Sequence, residues 1–142
     1  MIMEKLNLTS QFTGSRLLHT MLRVSDLDRS LEFYVGTLGM RLLRRQDFTQ
    51  GSYTLAFVGY AAEDEGSVLE LTYNWDKRTY QKGDAFGHLA IQVDDVQRVT
   101  TILNQHGVPV PRPAGPLPGA PDEWIAFIED PDGYRIELIQ AR

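Results

Sequence analysis

Four residues in this chain could do metal chemistry, and they form two matched pairs. His19 lies in the run LLHTMLRV and His88 near the start of GHLAIQV; Glu70 lies in VLELTYN and Glu137 in RIELIQ. Each glutamate follows an apolar residue and precedes leucine, and almost the same stretch of chain separates the two histidines as the two glutamates. Imidazole nitrogens and carboxylate oxygens suit divalent ions of the first transition row. Two of each, with room for two waters, fit an octahedral Ni²⁺, Co²⁺, Mn²⁺ or Fe²⁺. The third histidine, His106 before Gly107, falls in a last helical turn, where a cation complements the helix dipole, and carries no site role.

Strands must position these pairs. Over 17–24, alternation places Leu18, Thr20, Leu22 and Val24 on one face and His19, Met21 and Arg23 on the other. Ser25 or Asp26 can cap the helix that follows, in which Leu27, Leu31, Tyr34 and Leu38 recur at helical spacing and Gly39 is the stop. RLLRRQDF, YTLAFVGY and SVLELTYNW read as three further strands, and the polar DKRTYQKGDAFG as a connector. The order then recurs. GHLAIQV is a strand, and Asp94 or Asp95 can cap a helix with Val96, Val99, Ile102 and Leu103 as its apolar stripe. Gly107 ends that helix, VPVPRP starts an edge-type strand, AGPLPGAPDE reads as a loop, and WIAFIED and YRIELIQ flank a PDG turn. The expected fold is α+β: two tandem βαβββ modules, about 16–75 and 87–142, whose curved sheets surround a metal site. Residues 1–15 read as an N-terminal arm and 16–142 as a single domain.

Composition excludes several alternatives. The 142 residues are enough to bury a core in one domain, with 42% apolar and 23% charged side chains. There is no cysteine, so no disulfide, zinc-thiolate site or thiol nucleophile. A net charge of −5 without a basic block argues against nucleic-acid binding. No apolar run approaches the ~18 residues a membrane span needs. MIMEKLNLTSQFTGS lacks the basic start and apolar stretch of a secretion signal, so a cytoplasmic protein is expected.

Together, LLHTMLRV, LEFY, LGM, LAFVGY, LELTYNW, GHLAI and AFIEDPDGYRIEL closely resemble glyoxalase I (lactoylglutathione lyase) of the short bacterial type, in the vicinal-oxygen-chelate superfamily. The resemblance runs from about Arg16 to the C-terminus. It implies isomerisation of the hemithioacetal of methylglyoxal and glutathione to S-lactoylglutathione through an enediolate. Such a reaction needs a divalent ion to stabilise charge on two oxygens and a carboxylate that can leave the metal to act as base. The family's ligands fall on His19, Glu70, His88 and Glu137, with Glu137 the principal base and Glu70 its counterpart for the other substrate stereoisomer. Histidine at the first ligand position implies Ni²⁺ or Co²⁺ rather than Zn²⁺.

Arg23 and Asn74 match the family's glutathione contacts, each four residues beyond a ligand on the same strand face. Phe57, Ile125 and Phe127 are candidates for the apolar wall around the substrate methyl. Where some members carry basic residues to hold a glycine carboxylate, this chain reads GAPDEW and GDAFGH, leaving Arg112 as a substitute cation. The resemblance also implies a homodimer in which His19 and Glu70 of one chain meet His88 and Glu137 of the partner subunit. An epimerase or dioxygenase of the same superfamily would need only three protein ligands, and a small-molecule binding protein none.

Overall fold

The computed structural model describes residues 8–142. Of the expected N-terminal arm, residues 1–7 lie outside the described residues; the rest holds a 3₁₀ turn, Thr9–Phe12, with Phe12 exposed.

The first half runs β1 (His19–Arg23), α1 (Leu27–Leu31), β2 (Arg41–Phe48), β3 (Tyr53–Gly59) and β4 (Val68–Asn74). The second runs β5 (Leu89–Val93), α2 (Val96–Gln105), β6 (Arg112–Leu117), β7 (Ala120–Glu129) and β8 (Arg135–Gln140). Each half folds into a four-stranded mixed sheet, in the orders β1-β4-β3-β2 and β5-β8-β7-β6; only the β1–β4 and β5–β8 pairings are parallel. This is the expected α+β fold of two βαβββ modules.

Asp26 and Asp95 cap the helices by accepting from the Arg29 and Arg98 amides at 3.1 and 3.0 Å. After Leu31 the first helix widens into π-type turns over Glu32–Thr37, which bury the adjacent Phe33 and Tyr34 together. Gly39 and Gly107 end the helical segments at φ +77° and +81°, where a Cβ would be strained. His106 sits at the C-terminal cap of α2, its Nδ1 2.8 Å from the Ile102 carbonyl, as its place in the last turn suggests.

Strand alternation decides what is buried. Leu22, Val24, Ala56, Val58 and Leu71 of the first sheet join Ala126, Ile128, Ile136 and Leu138 of the second, with Leu27, Phe33, Tyr34, Val96 and Leu103, in one core shared by both halves. The opposite strand faces carry His19, Met21 and Arg23, and Glu70.

The EDPDGY segment locks the halves together. The Tyr34 hydroxyl donates to Asp130 Oδ2 at 2.7 Å, and Asp130 Oδ1 accepts from the Asp132 and Tyr134 amides. Asp132 Oδ1 accepts from the Ser25 amide and hydroxyl, and the Tyr134 hydroxyl donates to the Arg23 carbonyl at 2.8 Å. Burial pushes the Asp130 carboxyl up from its ordinary range, against hydrogen bonds from Tyr34, Tyr134 and Asp132 that favour its charged form. Burial, reinforced by Asp130, also pushes the Tyr34 hydroxyl far above its usual value. Tyr34→Phe leaves a buried carboxylate oxygen without its donor. It is expected to cost about 1–3 kcal/mol in denaturant unfolding with an unchanged m-value. An unshifted midpoint would show that this lock does not hold the halves.

Three local expectations are corrected. AGPLPGAPDE is not a loop: it forms most of the β6–β7 hairpin, turning at Gly119 with φ +85°. Pro113 and Pro116 are tolerated because β6 is the edge strand and its register shifts on either side of Gly115. The Arg112 guanidinium fills the gap, donating to the carbonyls of Pro113, Gly115, Pro116 and Ile125 at 2.9–3.1 Å. Those bonds make Arg112 a brace for the hairpin, not a substitute cation for a substrate. On α2, Thr100 joins Val96 and Leu103 in the buried stripe, while Ile102 is exposed.

Candidate metal centre and adjoining cleft

The two sheets place their His–Glu pairs in the same register. Met21, two residues beyond His19, is level with Glu70 on β4; Ala90, two beyond His88, is level with Glu137 on β8. His19 Nε2 lies 3.0 Å from Glu70 Oε2, and His88 Nε2 lies 3.5 Å from Glu137 Oε1. The imidazoles are 37% and 40% exposed and the carboxylates only 15% and 17%, so each pair opens to solvent through its histidine.

An aromatic ring fixes each histidine. Phe57, level with Glu70 on β3, meets the His19 ring edge-on at 5.5 Å and 78°. Phe127, level with Glu137 on β7, meets His88 at 5.1 Å and 78°. Such contacts orient an imidazole so that its ring nitrogen stays aimed at one point. Ile125 lies two residues before Phe127 on the same strand face and is buried, yet both Ile125 and Phe57 stay outside the main core cluster. The structure thus assembles two sets, His19–Glu70–Phe57 and His88–Glu137–Phe127, with Ile125 beside the second.

Among the described residues, no three histidine, aspartate, glutamate or cysteine side chains converge within the single chain. Each set is a half-site of one imidazole and one carboxylate. This donor chemistry fits a divalent first-row ion, and two such halves would make the full four-ligand set.

The first half-site has a neighbour that the sequence reading missed. The Arg44 guanidinium carbon lies 3.7 Å from the Phe57 ring centre, and its Nε and Nη2 donate to Glu63 at 2.8 and 3.0 Å. Those hydrogen bonds hold the Glu63 carboxyl below its usual range and raise the Arg44 guanidinium. Arg44 is level with Phe57, as Arg112 is with Phe127. That shared register is visible only once the strands have paired.

Arg23 and Asn74 meet in an open cleft of about 880 Å³, lined also by Lys77, Thr79, Tyr80 and Gln81. Asn74 Nδ2 donates to the Tyr80 hydroxyl at 2.9 Å, and Lys77 Nζ sits 4.9 Å from the Tyr80 ring centre. Four of the six lining residues come from the connector, where no periodicity marks them. The second half has no equivalent: four residues beyond His88 and Glu137 stand Gln92 and Ala141. The duplication is kept at the His–Glu pairs and lost at the cleft.

Two sheets of this topology carrying paired His–Glu half-sites define a class of proteins. The chain belongs to the Glyoxalase/Bleomycin resistance protein/Dioxygenase superfamily, whose family model matches residues 16–138. Within it, the chain is 53% identical over 127 residues to the lactoylglutathione lyase of Neisseria meningitidis serogroup A, covering 89% of this chain and 91% of that one. Among solved structures, the trypanothione-dependent glyoxalase I of Leishmania major superposes with a TM-score of 0.79 at 46% identity, covering 88% of this chain and 86% of that one. Glyoxalase I from Zea mays superposes with a TM-score of 0.84 at 43% identity over 89% of this chain, which spans only 44% of the maize chain. No described helix is long and apolar enough to cross a membrane.

Proposed function

We propose that His19, Glu70, His88 and Glu137 hold one divalent metal ion, and that this site isomerises the hemithioacetal of methylglyoxal and glutathione to S-lactoylglutathione. The protein acts as a lactoylglutathione lyase, a metal-dependent enzyme of methylglyoxal detoxification. The observation that carries this is the pair of His–Glu half-sites in identical register, each incomplete within one chain. One half-site of each kind completes the ligand set when two copies associate, so residues 16–142 act as a homodimer with shared sites. A cytoplasmic location follows from the use of glutathione as co-substrate.

When bound, the metal ion supplies Lewis-acid stabilisation of the charge that develops on the substrate's two oxygens. The chain's own residues do the rest. Glu137 removes the proton from the carbon bearing sulfur and returns it to the adjacent carbon; Glu70 serves the opposite stereoisomer from across the site. Their low exposure shields the proton in transit from bulk water. Phe57, Phe127 and Ile125 hold the imidazoles and wall the methyl group. Arg23 and Asn74 anchor the peptide part, Arg23 lying about 13 Å from His19 along β1 at the rise of an extended strand.

The test is to follow thioester absorbance with methylglyoxal and glutathione after chelation and metal replacement. Activity is expected to vanish on chelation and return with Ni²⁺ or Co²⁺ but only weakly with Zn²⁺, because histidine occupies the first ligand position. Full recovery with zinc alone overturns the metal preference. No thioester with any metal overturns the activity.

A further inference from the structure

We infer that Lys77 is a specificity-determining residue of this enzyme: with Arg23 it holds a carboxylate of the thiol carrier, while Tyr80 sets Asn74 to receive a neighbouring N–H of the same ligand. This rests on the proposed function and adds the feature of the thiol that is read.

The cleft beyond β1 and β4 is lined by two cations, Arg23 and Lys77, and by no acid. In a chain of net charge −5 this acid-free lining is a local excess of positive charge, which attracts an anion. The other basic side chains of the connector are engaged elsewhere. Arg78 donates to the Trp75 carbonyl at 2.8 Å and lies over the Tyr73 ring, and Lys82 donates to the Asp132 carbonyl at 2.9 Å. Arg112 is consumed by the β6–β7 hairpin. Lys77 is different: its ammonium rests against the Tyr80 ring, a contact that holds the charge in place and spends none of its donors.

The polar groups beside it are arranged for the same ligand. One Asn74 amide N–H is spent on the Tyr80 hydroxyl, which fixes the amide plane and leaves its carbonyl oxygen to accept an incoming N–H. An arginine fork and an ammonium for a carboxylate, with an amide oxygen for an amine or peptide N–H, match the end of a peptide-like thiol bearing a free carboxylate. The pair also disfavours a polyamine-linked thiol by repulsion. The second half-site, with Gln92 and Ala141 at the equivalent slots, cannot read this feature. The peptide arm therefore extends from the metal in one direction only.

The test compares wild type with Lys77→Ala and Lys77→Arg on methylglyoxal hemithioacetals of glutathione, glutathione glycyl ethyl ester and glutathione diethyl ester. With glutathione, Lys77→Ala is expected to raise KM roughly five- to twenty-fold with kcat held, and Lys77→Arg to restore most of it. With the diester, wild type is expected to be at least as poor as Lys77→Ala is with glutathione, and the substitution to have no further effect. If the glycyl ester alone removes the difference, Lys77 reads the glycine carboxylate; if the difference survives there and disappears with the diester, it reads the γ-glutamyl one. Calorimetric titration with unreactive S-methylglutathione should show the same loss of affinity. An equal effect of Lys77→Ala on glutathione and diester, or no effect on KM and binding, overturns the inference. Binding of S-methylglutathione through Lys77 without turnover of any hemithioacetal would instead overturn the proposed activity and leave the role of Lys77 standing.

Discussion

Glu137→Gln is expected to keep the fold and lose turnover by about 10²–10⁴-fold, the range that one positioned acid–base group supplies. The substitution is nearly isosteric and changes one property. An amide cannot accept and return the carbon-bound proton, while its carbonyl oxygen remains on the site face. Glu137 is the suitable group because β8 holds it level with Ala90 and Phe127, mostly covered and beside His88. Those neighbours do not change, so circular dichroism and thermal unfolding should match wild type. Glu70→Gln is expected to fall less, since the role proposed for Glu70 is with the other stereoisomer. Metal content measured in both variants separates a lost base from a lost ligand. A near-normal kcat in metal-replete Glu137→Gln would remove Glu137 from its role.

Subunit mixing is expected to give the second large effect, a return of activity from two dead proteins. His19→Ala and His88→Ala homodimers each lack one ligand at every site and should be nearly inactive. In a mixed dimer with shared sites, one site collects both lesions and the other none. Equal mixing then restores about a quarter of wild-type activity, half of the dimers being mixed and each carrying one intact site. The structure gives this its physical basis: within one chain each His–Glu pair stands alone among the described residues, and both histidines face solvent. If single chains built complete sites, every site in the mixture would carry a lesion. Absence of recovery after mass spectrometry has shown the heterodimer rules out the shared site.

The half-sites were legible in the sequence because their signals are local. Period-two alternation puts His19, Met21 and Arg23 on one face whatever the strand packs against, and a repeated strand order puts Glu70 and Glu137 in equivalent slots. The caps at Asp26 and Asp95 and the glycines at 39 and 107 are equally local, each satisfying backbone needs within one turn. Arg112 shows where that ends. Proline and glycine mark AGPLPGAPDE as irregular, yet an edge strand tolerates them once the Arg112 guanidinium bonds the carbonyls that the shifted register leaves over.

What the sequence alone determined is therefore the module, its duplication and the matched placing of His19 with Glu70 and His88 with Glu137, all of which follow from spacing along the backbone. Tertiary structure alone decided three things. It made EDPDGY a lock between halves, through Tyr34 and Ser25 far away in the chain. It kept the two His–Glu pairs apart within one chain. It also brought Lys77 and Tyr80 of an unpatterned connector beside Arg23 and Asn74. A segment without a hydrogen-bonded ladder has no period to reveal its faces. Its place is set by partners outside it, here the neighbouring strand residue Asn74 for Tyr80 and the distant Asp132 for Lys82.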